Sequence, residues 1–127
     1  DVVIGTLGDP NLRAFVMPDW LNEALNKADC VQFRCKSGLC DATYICGLMN
    51  MPATLSMASA MVQGITRARI SMGRLRELVV PNPPIALQEE FATKVKAVQS
   101  IVKQQVDALA AAQATLDALL HQSFAVS

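Results

Sequence analysis

From Ala86 to about His121 the chain contains neither Gly nor Pro, and Pro81-Asn82-Pro83-Pro84 stands immediately before that run. Proline is tolerated only in the first turn of a helix, so the pair Pro83-Pro84 marks a helix start. At 1.5 Å per residue the uninterrupted segment makes a rod of about 50–55 Å. That is too long for the rim of a small domain. The chain therefore divides into a compact part, residues 1–81, and a long helical part, residues 82–127.

The helical part carries a seam. Val95, Val98, Val102, Gln105, Leu109, Ala112, Leu116 and Leu119 follow one another at alternating spacings of three and four. A 3.5-residue period sustained over about four heptads predicts a coiled-coil interface, with Gln105 as its one polar position. A homodimer through this helix is the expected arrangement for a chain with one such seam. An Ala-rich helix lying on its own domain is the alternative.

Residues 1–81 read as α+β, built from short strands and short helices. Val2-Val3-Ile4, ending at Gly5, is a strand, and Thr6–Asn11 is turn chemistry. Residues 13–17 and 30–35 are two further strands. Residues 19–27 read as one or two helical turns capped by Asp19. Asp41 caps a helix over 42–50, Pro52 starts another over 53–61, and Gly64 breaks it. Ser71 caps a short helix over 72–78, and Val79-Val80-Pro81 reads as a last short strand. The chain opens at Asp1 directly into a strand, as a fragment or a processed chain would.

Eleven Lys+Arg balance eleven Asp+Glu, so a polyanion partner has to be argued from local clustering. Such a cluster exists. Residues 62–76 hold Arg67, Arg69, Arg74 and Arg76 and no acid, a local formal charge of +4. Arginine grips phosphate and pairs bidentately with guanine. Gly64 and Thr66 precede the cluster and leave backbone N–H groups free to approach phosphate. Gly64, Thr66, Arg67, Arg69 and Arg74 are the candidate DNA-binding residues. Arg74 and Arg76 also read as surface residues of the short helix, one of them pairing with Glu77.

Other chemistries find little footing. Cys30, Cys35, Cys40 and Cys46 are separated by four, four and five residues, without a tight pair or a neighbouring His. Zinc sites ordinarily need such a pair, and small reduced buried thiols in a cytoplasmic protein are the simpler reading. Asn82-Pro83-Pro84-Ile85 approaches the Asn-Pro-Pro-aromatic motif of amino-methyltransferases acting on adenine. Its Ile85 has no ring to stack on a flipped base, and no Gly-rich cofactor loop follows a strand. His121 stands alone in the last helical turn, and the six methionines suit core filling. No catalytic residue, metal ligand or cofactor is expected. No signal-peptide pattern is visible, and no apolar run is long enough to span a membrane.

The stretch GITRARISMGRLRELVVPNPPIALQEEF, residues 64–91, resembles the specificity subunit of type I restriction–modification systems. The family pattern places Gly, Thr, Ile-Ser, two spaced leucines, a short apolar strand, Pro-x-Pro-Pro and then Gln at the start of a long helix. Here those are Gly64, Thr66, Ile70-Ser71, Leu75 and Leu78, Val79-Val80, residues 81–84 and Gln88. DVVIGTLG and DATYICGLMN are similar to an earlier strand-turn and helix of the family. The resemblance implies a non-catalytic DNA-recognition domain that reads one half of a split double-stranded site. It also implies a spacer helix that docks the methyltransferase subunit and, through it, the restriction subunit. Such subunits carry two recognition domains and two spacer helices, and this chain shows one of each. A helical oligomerisation module that does not touch DNA is the alternative.

Overall fold

The computed structural model describes residues 1–8, 12–25, 28–63 and 68–125. Among them the elements run β1 (Val2–Gly5), β2 (Ala14–Val16), β3 (Cys30–Phe33), α1 (Ala42–Met49), α2 (Pro52–Ser59), α3 (Met72–Arg76) and α4 (Ile85–Phe124). The fold is α+β, with a three-stranded antiparallel sheet and a long C-terminal helix. Two compact units are formed, Asp1–Ala92 and Thr93–Ser127, so the first two turns of α4 belong to the sheet-bearing unit. No helix among the described residues is long and apolar enough to cross a membrane.

The sheet has the order β2-β1-β3. Successive strand residues face opposite sides, so Val2 and Ile4 share one face of β1. Both are buried there in a core with Leu12, Ile45, Met49, Ala58 and Ile70. Ile45 and Met49 stand four apart on α1, and Ala58 comes from α2, so the two helices cover that face. Leu12 reaches the same core with a left-handed backbone (φ 64), which is costly for a branched side chain. Its complete burial and its N–H bond to the Gly5 carbonyl at 2.9 Å hold it there.

Local signals explain the helix ends. Asp41 Oδ1 accepts from the Tyr44 N–H at 2.9 Å, and Ser71 Oγ accepts from the Arg74 N–H at 3.3 Å. Pro52 occupies the first position of α2, where its missing N–H costs nothing. α2 ends at Ser59, two residues short of the expected Met61.

Two expected elements do not form. Residues 19–25 hold no helix, only a turn closed by Leu21 N–H on the Pro18 carbonyl at 3.1 Å. One or two isolated turns are unstable unless they bury a face, and Trp20 and Leu25 lie exposed. Residues 26–27 lie outside the described set. Val79-Val80-Pro81 is not a strand either: among the described residues no strand pairs with it, and Val79 is 85% exposed. The β preference of valine reflects packing on a pleated surface, which is missing here.

The outer edge of β2 is closed by a side chain. Asn50, just past α1, accepts from the Ala14 N–H at 3.0 Å and donates to the Ala14 carbonyl at 2.8 Å. Its amide thus stands where a further strand would pair. Asn50→Ala should cost about 1 kcal/mol and speed amide exchange at Ala14. Unchanged protection of that amide would contradict the role.

Candidate functional site

Of the candidate DNA-binding residues, Gly64, Thr66 and Arg67 lie outside the described residues. Arg69 sits on a short ladder. It exchanges backbone bonds with Gln63 at 3.1 and 3.0 Å, and the next residue, Ile70, donates its N–H to the Thr6 carbonyl at 3.0 Å. Ile70 is buried, so the backbone under Arg69 is anchored. The guanidinium lies half exposed. Its Nη2 donates to the Ala28 carbonyl at 2.9 Å and pairs with Asp29 Oδ1 at 2.9 Å.

Arg74 points elsewhere. Its Nη1 donates to the Met61 carbonyl at 3.0 Å in a partly buried contact, tying α3 to the chain after α2. The expected pairing with Glu77 is not the contact this side chain makes. Arg76 is exposed at the end of α3. An arginine run that is free of acids along the sequence therefore meets a carboxylate in space. Asp29 lies forty residues before Arg69, and nothing in the local pattern points to it.

The motif residue Gln88 has a clear physical role. It is 0% exposed. Its Oε1 accepts from the Asp41 N–H at 3.0 Å, and its Nε2 donates to Asn82 Oδ1 at 3.0 Å and to the Pro83 carbonyl at 2.8 Å. One amide thereby joins the start of α1, the proline segment and the start of α4. Phe91 and Ala92 complete the contact face at spacings of three and four. The Phe91 ring meets Tyr44 edge-on at 5.8 Å and 86°. Gly47 makes room for it, since a Cβ there would stand 3.1 Å from the Phe91 ring. The Tyr44 hydroxyl donates to the Pro81 carbonyl at 3.1 Å.

Along the Thr93–Ser127 unit the predicted seam is largely in water. Val95 is half-buried, whereas Gln105 is exposed, as are Val98 (59%), Val102, Leu109 (69%), Leu116 and Leu119. Ile101, Val106 and Leu120 beside them are exposed too, so the apolar stripe is wider than the heptad positions alone. Lys103 pairs with Asp107 at 2.6 Å and Gln113 donates to Asp117 at 2.9 Å on the helix surface.

Two of the four thiols, Cys35 and Cys46, are poor nucleophiles and poor ligands as they stand. Burial, helped by a hydrogen bond with Cys40, pushes Cys35 up to about 12, and burial raises Cys46. Among the described residues no three His, Cys, Asp or Glu side chains converge as a metal set. A cleft of about 540 Å³ is lined by Val3, Phe15, Met17, Leu21 and Leu25 with Asp1, Asp19 and Gln32. Among the described residues of that lining no side chain is basic, and Asp1 and Asp19 are acidic.

Comparison with known protein families, with curated proteins and with solved structures finds no match to this chain.

Proposed function

We propose that this chain is a non-catalytic DNA-recognition module of the specificity-subunit type. The Asp1–Ala92 unit reads one half of a split duplex site. α4 serves as a spacer that pairs with another helix and docks a methyltransferase subunit, and through it a restriction subunit, in the cytoplasm. The observation that carries this reading is the Gln88 clamp. The Pro-x-Pro-Pro and Gln residues of the resemblance are the ones that lock the start of a long, water-exposed, apolar-striped helix onto the sheet-bearing unit.

The test is salt-dependent binding to duplex DNA. Replacing Arg67 and Arg69 together with Ala should weaken binding. It should also flatten the slope of log K against log[salt] by up to about 0.9 for each phosphate that is no longer neutralised. Loss of specificity at one base position only would make the affected side chain a base reader. Affinity and slope both unchanged would remove the arginines from the interface.

A second reading is favoured by one observation: Arg69 and Arg74 both spend donors on protein oxygens. In that reading the chain is an assembly module, and the arginines brace its loops. A wild-type protein that shows no salt-dependent DNA binding but self-associates through α4 would select it.

A further inference from the structure

Among the described candidate DNA contacts, Arg69 sits beside a carboxylate, and its surroundings restrict how it engages an anion. A guanidinium offers two forks of paired donors, one from Nη1 and Nη2 and one from Nε and Nη2. Both forks share Nη2. In this structure Nη2 faces two acceptors, the Ala28 carbonyl and Asp29 Oδ1, each at 2.9 Å. With one Nη2 hydrogen on the Ala28 carbonyl and the Asp29 carboxylate paired against the same nitrogen, Arg69 keeps two donors on Nη1 and one on Nε, and the Nη2 side of each fork is occupied. A bidentate grip requires Nη2 to release one partner.

The two partners differ in kind. The Ala28 carbonyl is a neutral backbone group, whereas the Asp29 carboxylate is an anion that another anion can replace. The backbone on either side stays in place during such an exchange. Arg69 is held by its ladder, and the Asp29 carbonyl accepts from the Thr6 N–H at 2.8 Å and from Thr6 Oγ1 at 3.0 Å. Only side chains need to move, and both are accessible to water, 50% exposed for Arg69 and 32% for Asp29. A cleft of about 350 Å³ lined by Thr6, Val31, Arg69, Ser71 and Met72 adjoins the pair.

We propose that Asp29 is a resident competitor for the DNA phosphodiester that Arg69 binds. In the free protein the carboxylate occupies the guanidinium, and on DNA the phosphate displaces it and takes the fork. This rests on the DNA-recognition reading above. Asp29 is then a positioning residue. It holds the guanidinium of Arg69, which lines the cleft, and weakens its grip on any anion that cannot take both donors.

The test titrates inorganic phosphate and, separately, duplex DNA at fixed ionic strength. The proteins are the wild type, Asp29→Asn, Arg69→Ala and the double variant Asp29→Asn/Arg69→Ala. Phosphate binding is followed by the arginine Nε–H resonances. Asp29→Asn should bind both probes roughly two- to fivefold tighter, the span expected for releasing an exposed ion pair. The gain should vanish when Arg69 is absent. A gain of equal size without Arg69 would reduce Asp29 to a long-range charge and overturn the proposal, as would no gain for either probe. An Arg69-dependent gain for phosphate, with no variant binding DNA, would sustain the competition and sink the DNA reading. DNA binding that Asp29→Asn leaves unchanged would do the reverse. Asp29→Ala provides a second variant that keeps the backbone bond to Thr6. In the wild type, DNA should shift the Asp29 carboxyl carbon resonance, and an unmoved resonance would also overturn the exchange.

Discussion

Gln88→Ala is expected to lower the stability of the Asp1–Ala92 unit by about 3 kcal/mol, several times the effect of an ordinary surface substitution. Gln88 is fully buried and its amide meets three partners: Asp41 N–H, Asn82 Oδ1 and the Pro83 carbonyl. Truncation leaves the half-buried Asp41 N–H and Pro83 carbonyl without this partner, at about 1–3 kcal/mol in sum. It also opens a cavity where the side chain stood, which adds to the cost. For a unit of this size the midpoint should fall by roughly 12–24 °C. Urea and thermal unfolding measure it, and a loss below about 1 kcal/mol would mean the amide is not the clamp. Gln88→Glu separates the hydrogen bonds from the volume. A carboxylate still accepts from Asp41 N–H but cannot donate to the Pro83 carbonyl, and its charge is buried. Burial raises the folded pKa of that Glu above its unfolded value. The variant should therefore come nearest the wild type at acid pH and lose stability as pH rises through the carboxylate range.

Self-association through α4 is the second large effect expected. A stripe that leaves Val98, Leu109 and Leu116 between 49% and 69% exposed has apolar surface to cover along its length. An antiparallel register centred on Asp107 pairs Val95 with Leu119, Val98 with Leu116, Val102 with Ala112 and Gln105 with Leu109. Every seam position then has a partner. In the family that the chain resembles the partner would be the second spacer helix, and for the single long helix seen here the expected partner is another copy. Leu109→Asp together with Leu116→Asp should weaken the dimer more than hundredfold, because each buried leucine contributes about 1.5–3 kcal/mol. Gln105→Leu should do the opposite. It removes the one polar residue of the seam, so it should raise thermal stability while admitting shifted registers and larger oligomers. Sedimentation equilibrium distinguishes these outcomes. A wild-type chain that stays monomeric at high micromolar concentration would show that the seam needs no second helix.

Several features were legible along the chain because their causes are local. α4 follows from a run without Gly or Pro behind a Pro pair, and its stripe follows from spacings of three and four. The caps of α1 and α3 need only Asp41 and Ser71 and the N–H three residues on. β1 follows from Val2-Val3-Ile4. In each case the deciding atoms lie within about one helical turn or one strand of each other, so the order of residues alone determines the geometry. Tertiary structure decided the rest. Residues 19–25 had a helical pattern but no surface to bury it against, and Val79-Val80 had β propensity but no strand alongside among the described residues. Asn50 closes the edge of β2 from thirty-six residues away. Gln88 is recognisable as a motif position, yet its clamp exists only where α1, the proline segment and α4 meet. The arginine run looks uncompensated in sequence and is neutralised in part by Asp29. Such pairings depend on which groups the folded backbone brings within hydrogen-bond reach. Residues tens of positions apart carry no spacing rule that could announce it.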